Sequence, residues 1–330
     1  MLWPATSLFA PSQLPDGFRD DHFCNCFTHA RCSVVKRTSK LCRPVLWALS
    51  RIIIAFVMPS RLDQIVAATR RKIAQSRARA DLRLLERQAQ NHTPRGFRQI
   101  LKTRSRSGFS IIAEMKKASP SRGLIRADFD PPKLARELEL AGAAALSVLT
   151  EEEFFQGSLE NLQQASASTQ LPCLRKDFIV DDFQLLEARA YCADAVLLIV
   201  AALSAAELST LAKAARNHEL DILCEVHDED ELQSAIDAGC DLIGVNSRDL
   251  RTFTVDLDTA FRLAASIPTN VVRVAESGIH SGADIARLRS AGYQAFLIGE
   301  SLMKAQSPGD ALRSLIAEAS SGQWSVVSGQ

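Results

Sequence analysis

The sequence predicts an α/β fold: a closed (β/α)8 barrel of the TIM type, preceded by extra N-terminal helices. Three observations predict it. Between residues 109 and 320, short apolar runs alternate with helical stretches eight times, at about 26 residues per unit, close to the span of such a barrel. The apolar runs are too uniformly hydrophobic for a half-exposed antiparallel sheet and fit strands buried on both faces. Polar and charged residues gather where those runs end, which is where barrels of this kind keep their reactive groups.

The chain has 330 residues, 47% of them hydrophobic and 23% charged, enough for one large domain with a full core. A net charge of +1 gives no global case for nucleic acid or an acidic surface as partner. Eight cysteines fall into two groups. Cys173, Cys192, Cys224 and Cys240 are dispersed through apolar or helical segments and read as reduced core thiols. No disulfide framework is suggested, and a cytoplasmic location fits best.

Residues 1–57 differ from the rest. They hold four of the twelve prolines, two of the three tryptophans and the remaining cysteines, with no sustained period. Cys24, Cys26, His29 and Cys32 are spaced more tightly than the usual zinc knuckles, so no metal site is assigned. The run Val45–Val57 is too short to span a bilayer and is interrupted by Arg51, so no membrane partner is expected. Residues 1–57 read as a disordered or non-native extension, and 58–330 as a single catalytic barrel domain starting at Met58.

From Pro59 the pattern becomes regular. Ser60 is placed to cap a helix with Leu62, Ile65, Val66, Thr69 and Ile73 at helical spacing. Its other face is basic, continuing through Arg77, Arg79, Arg83 and Arg87, and without interleaved aromatics it reads as a solvated face. Pro94-Arg95-Gly96 marks a turn before a short helix over Phe97–Lys102. The strands then read as Phe109–Met115, Ala145–Leu149, Pro172–Arg175, Ala195–Val200, Asp221–Cys224, Leu242–Val245, Val271–Ala275 and Ala295–Ile298. Gly142, Gly239 and Gly292 sit just past helix ends, as left-handed caps would.

Strand ends supply the chemistry. Period two puts Ile112, Glu114 and Lys116 on one face of the first strand. The third ends at Lys176, the fifth at Glu225, and the sixth at Asn246 with Arg248 beyond it. The seventh ends in Glu276-Ser277-Gly278 and the eighth in Gly299-Glu300-Ser301. Three carboxylates and two lysines at one mouth would cost desolvation energy that a merely structural end would avoid. Phosphate-binding barrels often hold the anion on backbone N–H groups after strands seven and eight, and the glycines there permit close approach. Glu300 would repel a phosphate, so its side chain is expected to turn away.

These residues carry a resemblance. IAEMKKASPSRG, LTEEEFFQGSLENL, CLRKDFIVDDFQ, CEVHDEDEL, GVNSRDL, VAESGI and FLIGESLM, in order over 58–320, resemble the successive motifs of the indole-3-glycerol phosphate synthase family. The resemblance implies a (β/α)8 barrel with extra N-terminal helices that needs no cofactor. It also implies the conversion of 1-(2-carboxyphenylamino)-1-deoxyribulose 5-phosphate to indole-3-glycerol phosphate, CO2 and water in tryptophan biosynthesis. By the same resemblance Lys176 is the general acid, Glu225 the general base, and Lys116 a lysine that engages the substrate carboxylate and assists ring closure. Glu114, Asn246 and Glu276 position these groups. Arg248 contacts the anthranilate side, Ser119, Ser277, Gly278 and Gly299 make the phosphate and substrate contacts, and Phe155 and Phe178 line a pocket for the benzoate ring. Some members carry a lysine where this chain has Ala118, which leaves the phosphate more dependent on backbone donors. The implied partner is one small phosphorylated substrate, with the chain a monomer or weak homodimer.

The chemistry explains the residue types. Ring closure needs a proton at the ketone oxygen, so a cation must stand close; a crowded or desolvated lysine is expected to have its pKa drawn down toward roughly 7–8, while Glu114 and Glu276 keep at least one of Lys116 and Lys176 protonated. Loss of water then needs an acid and a base, expected on opposite sides of the substrate. Two other barrel chemistries compete. A Schiff-base aldolase would use a barrel lysine covalently. Phosphoribosylanthranilate isomerase pairs a cysteine with an aspartate, and the first strand here offers Glu-x-Lys instead. A non-catalytic phosphate-binding barrel would have no use for the acid–base set.

Overall fold

The computed structural model describes residues 60–250 and 252–321. The extension read over 1–57, with its cysteine cluster and apolar run, lies outside the described residues.

Among the described residues, three helices precede the first barrel strand: α1 (Arg61–Arg79), α2 (Leu82–Gln90) and α3 (Phe97–Ser105). Ser60 caps α1, its hydroxyl accepting from the Asp63 amide at 3.1 Å while the Asp63 carboxylate accepts from the Ser60 amide at 2.9 Å. This reciprocal pair satisfies two N–H groups that the helix itself leaves open. The basic face does not run on unbroken through Arg83 and Arg87. Ala80 is extended (φ −71°, ψ 139°), and Asp81 starts a second helix by accepting from the Leu84 amide at 3.0 Å. The basic residues of α1 meet acids of later segments: Arg70 with Glu207, Lys72 with Glu152, and Arg77 with Asp181, each at 2.8 Å. Such exposed pairs are worth up to about 1 kcal/mol each, so they steer the helix more than they stabilise it.

The barrel strands are β1 (Ser110–Met115), β2 (Ala145–Leu149), β3 (Cys173–Lys176), β4 (Ala195–Ile199), β5 (Asp221–Val226), β6 (Leu242–Asn246), β7 (Val272–Glu276) and β8 (Ala295–Ile298). Each pairs in parallel with its neighbours, and β1 pairs with β8 to close the ring. Between them lie α4 (Pro131–Leu140), α5 (Leu159–Ala167), α6 (Phe183–Ala190), α7 (Ala205–Asn217), α8 (Glu229–Asp237), α9 (Asp258–Ala264) and α10 (Gly282–Ser290). Two helices, α11 (Glu300–Lys304) and α12 (Pro308–Ser321), follow β8.

Strand alternation divides the apolar residues into two cores. Ile112, Leu174, Leu223, Val274 and Leu297 fill the barrel, whereas Ile111, Ala113, Met115, Val196 and Ile243 face the helices. Phe97 and Leu101 of α3 are fully buried against the barrel's interior cluster, and α3 touches β1, β2, β5 and β7. Asp194, just ahead of β4, ties this end together with its side chain fully buried. It accepts from the Arg95 guanidinium and from the amides of Arg95 and Cys173, each at 2.6 Å, and faces His92 at 3.0 Å. Burial works to raise the Asp194 carboxyl, but His92 and Arg95 hold it below the usual carboxylate range. Cys173, Cys192, Cys224 and Cys240 are free thiols, and Gly142, Gly239 and Gly292 take positive φ.

Four strands reach past the apolar runs read from the sequence. Lys176, Glu225, Asn246 and Glu276 stay within the ladder, in register with Leu149, Ile199, Glu276 and Asn246 respectively. The polar side chains are the last layer of the barrel interior and not the start of the loops.

Candidate active site

The thirteen candidate site residues line one cleft, open to solvent at the C-terminal end of the barrel. On β1, Glu114 is buried and accepts from the Lys116 ammonium at 2.5 Å. The two sit side by side because they are two residues apart on an inward face. Gly299 makes room for them: a Cβ there would stand 2.5 Å from Glu114 Oε1 and 2.7 Å from its Cβ.

Lys176 is the hub. Its ammonium donates to Glu225 at 2.9 Å and to Glu276 at 2.8 Å, and both acids are almost fully buried. The expected downward drift of its pKa does not occur. Burial lowers it, but Glu225, Glu276 and Glu114 outweigh burial and hold the ammonium above the ordinary lysine value. The two acids divide. Burial pushes Glu276 up, to about 7, and its Oε1 has no hydrogen-bond partner, as suits the carboxyl that carries a proton near neutrality. Glu225 resists burial because Lys176 and His227 lie beside it and Asn246 bonds to it, which brings it down to about 2. Two carboxylates on one ammonium are thus split into an ionised base and a neighbour that shares the proton.

Lys176 and Glu225 are hydrogen-bonded neighbours, since β3 and β5 both end on the interior of a narrow ring. A proton taken by one can pass to the other.

At the rim, Ser277 and Gly278 both take left-handed backbone (φ 65° and 76°). For serine this is strained, and such strain is characteristic of functional turns. The Ser119 hydroxyl is buried with no hydrogen-bond partner. Phe155 and Phe178 face one another with ring centroids 6.4 Å apart. The Phe155 loop is held by Glu151, which accepts from the amides of Phe154 at 2.7 Å and Phe155 at 3.1 Å. Arg248 donates its amide to Asn246 Oδ1 at 3.0 Å. Glu300 is among the residues lining the cleft, and its carboxylate is met by Lys304 at 2.5 Å, Arg122 at 3.2 Å and Arg248 at 3.8 Å.

Two participants escape a sequence reading based on strand ends. Gly244 lies inside β6, where a Cβ would stand 2.0 Å from Glu276 Oε1. A lone glycine in an apolar run was the only signal, and it marks a close approach. His227, two residues past Glu225, places Nε2 3.6 Å from Glu225 Oε1. Its signal was the histidine of the CEVHD segment itself. Among the described residues, no group of three or more His, Cys, Asp or Glu side chains is arranged to hold a metal ion.

A closed barrel with paired amines and acids at its C-terminal mouth, and strained turns after the seventh strand, is the build of a barrel enzyme working by acid–base chemistry. Comparison with known proteins narrows this. The family model for indole-3-glycerol phosphate synthase matches residues 62–315. The indole-3-glycerol phosphate synthase of Koribacter versatilis is 59% identical over 259 residues, 78% of this chain and all of that protein. That of Desulfotalea psychrophila is 48% identical over 260 residues, 78% of this chain and 99% of its own length. A solved mandelate oxidase variant shares the fold alone, with a TM-score of 0.50 at 16% identity over 64% of this chain and 72% of that one. The chain belongs to the indole-3-glycerol phosphate synthase family.

Proposed function

We propose that this chain closes the indole ring of indole-3-glycerol phosphate, as a carboxy-lyase of tryptophan biosynthesis. Its substrate on this reading is 1-(2-carboxyphenylamino)-1-deoxyribulose 5-phosphate. The observation that carries the reading is the convergence of Lys116, Lys176 and Glu225 in one cleft with the turns at Ser277-Gly278 and Gly299.

The aromatic carbon bearing the carboxylate attacks the ketone, forming a C–C bond while the ketone oxygen gains a proton. A developing alkoxide is a far stronger base than a lysine amine, so Lys176 can donate to it even with its own pKa held high. Lys116, steadied by Glu114, meets the substrate carboxylate until the C–C bond to CO2 breaks and aromaticity returns. The hydroxyl then leaves as water with a second proton, and Glu225 removes a proton from the new ring. Because Glu225 and Lys176 share a hydrogen bond, the proton taken by the base can restore the acid. Glu276, Asn246 and Glu114 position these groups. Phe155 and Phe178 flank the benzoate ring, and Arg248 approaches its anthranilate side. Backbone donors at Ser277, Gly278 and Gly299, with Ser119, meet the phosphate.

Free thiols at all four described cysteines suit a cytoplasmic enzyme. Among the described residues, no helix is long and apolar enough to cross a membrane. The test is direct: incubate the purified chain with the anthranilate-ribulose phosphate and follow indole fluorescence. Steady product formation with release of CO2 is expected, and a clean preparation giving neither overturns the proposal. Borohydride treatment with substrate is expected to trap no covalent adduct on Lys116 or Lys176, which separates this chemistry from an imine-forming aldolase.

A further inference from the structure

Glu225 is gripped on both oxygens. Oε2 accepts from Lys176 at 2.9 Å, while Oε1 faces His227 Nε2 at 3.6 Å. His227 does not line the cleft, and it stands behind the base with its side chain 15% exposed. Its ring is fixed from the other end, where Nδ1 lies 2.9 Å from Glu231 Oε2 and the His227 amide donates to the same oxygen at 2.8 Å. Glu231 is itself set in the first turn of α8, its amide donating to Asp228 at 2.9 Å. Nε2 is buried and has no hydrogen-bond partner, so the imidazole presents an uncommitted nitrogen on the side of the Glu225 carboxylate.

We propose that His227 is a positioning residue for Glu225: anchored by Glu231, it places a protonated imidazole behind the carboxylate, which keeps Glu225 ionised and turned onto Lys176. The proposal rests on the reading of Glu225 as the general base. The groups that face His227 come from several elements: Glu225 on β5, Glu231 on α8 and Glu276 on β7, with Lys176 on β3 beyond Glu225. Burial disfavours a charged imidazole, but the hydrogen bond to Glu231 and the charges of Glu225 and Glu276 outweigh it and raise the His227 pKa.

The sign follows from this arrangement. A cation beside a carboxylate favours its ionised form, so removing the cation raises the pH at which Glu225 takes up a proton. A base works only when ionised, and the acid limb of kcat/KM must therefore move to higher pH. At 3.6 Å the displacement is about one pH unit or more.

The experiment measures kcat/KM of the full chain from about pH 2.5 to 8, a window that reaches down to where Glu225 titrates, for wild type, His227→Asn and Glu231→Gln. His227→Asn is expected to lower kcat about tenfold with little change in KM, and to move the acid limb upward. Glu231→Gln, which leaves the imidazole in place but removes its anchor, is expected to move the limb in the same direction by less. Wild-type limbs in both variants overturn the proposal, as does a loss in KM alone. If His227→Asn does not fold, Glu231→Gln decides alone, since Glu231 lies near the surface. If the wild type gives no turnover, the reading of function has failed separately. His227 is then tested by NMR titration, where an imidazole pKa above the ordinary value that falls in Glu231→Gln supports the anchored cation, and an unchanged one refutes it.

Discussion

Gly244→Ala is the sharpest probe of how the site is packed, because it adds one methyl group at a residue that does not itself line the cleft. A Cβ at this position would stand 2.0 Å from Glu276 Oε1 and 3.1 Å from Leu223 Cδ1. Ordinary contact begins near 3.4 Å, so the carboxyl must retreat by about 3.4 − 2.0 = 1.4 Å. Its other oxygen is the one held by Lys176 at 2.8 Å, and a retreat of that size breaks the bond. Lys176 then keeps only Glu225 and swings toward it. A misplacement of about 1 Å in a catalytic group costs on the order of 10²-fold, equivalent to about 2.7 kcal/mol of barrier. Stability should suffer less. Overpacking costs about 1–3 kcal/mol, and losing a flexible glycine from the unfolded chain returns about 0.4–1 kcal/mol of that. The assay is fluorescence-monitored product formation beside a thermal melt. Expected are a kcat about 10²-fold lower and a Tm within several degrees of wild type. Near-native turnover in a folded Gly244→Ala protein would refute the claim that Glu276 must sit where it does.

Other substitutions test other parts of the molecule. Lys176→Met and Glu225→Gln are each expected to cut turnover by about 10²-fold or more with folding intact by circular dichroism; near-native rates in either remove its assigned role. Asp194→Asn strips the charge from a fully buried acid and leaves Arg95 unpaired, at a cost of about 3–5 kcal/mol, roughly 6–15 °C in Tm. Because the Asp194 pKa is depressed in the folded state, its contribution is present above the unfolded value near 3.8 and is lost as pH falls through the folded one. The Tm gap between wild type and variant should therefore close in acid, and a gap that widens contradicts the assignment. A chain beginning at Met58 is expected to be soluble and to turn over like the full chain, and an insoluble or inactive product would show that residues 1–57 are needed.

The alternation of apolar runs with helical stretches was legible because parallel strands are covered on both faces and so read as continuous hydrophobic segments. Where the sequence misled was at the ends of β3, β5, β6 and β7. A charged residue normally announces a loop, yet Lys176, Glu225 and Glu276 remain in the ladder because each finds an opposite charge inside the ring. The break at Ala80 had no glycine or proline to announce it. The identities of the site residues were visible from their positions, but their electrostatics were not. Whether a lysine's pKa falls or rises depends on how many acids surround it, and Glu114, Glu225 and Glu276 come from three distant segments. Gly244 and His227 were hidden for the same reason, since each acts on a residue whose proximity only the closed barrel reveals.

That closure has a consequence for how the molecule is made. Glu114 belongs to the first barrel strand synthesised and Gly299 follows the last barrel strand, and the two meet only when β1 and β8 zip together. A nascent chain on the ribosome carries both lysines long before it owns the turn that completes the mouth. Catalysis therefore switches on at a single topological event, and turnover doubles as a reporter of whether the ring has shut. A chain severed between β4 and β5 should give two silent halves, and any activity regained on mixing them would measure reassembly of the whole circle.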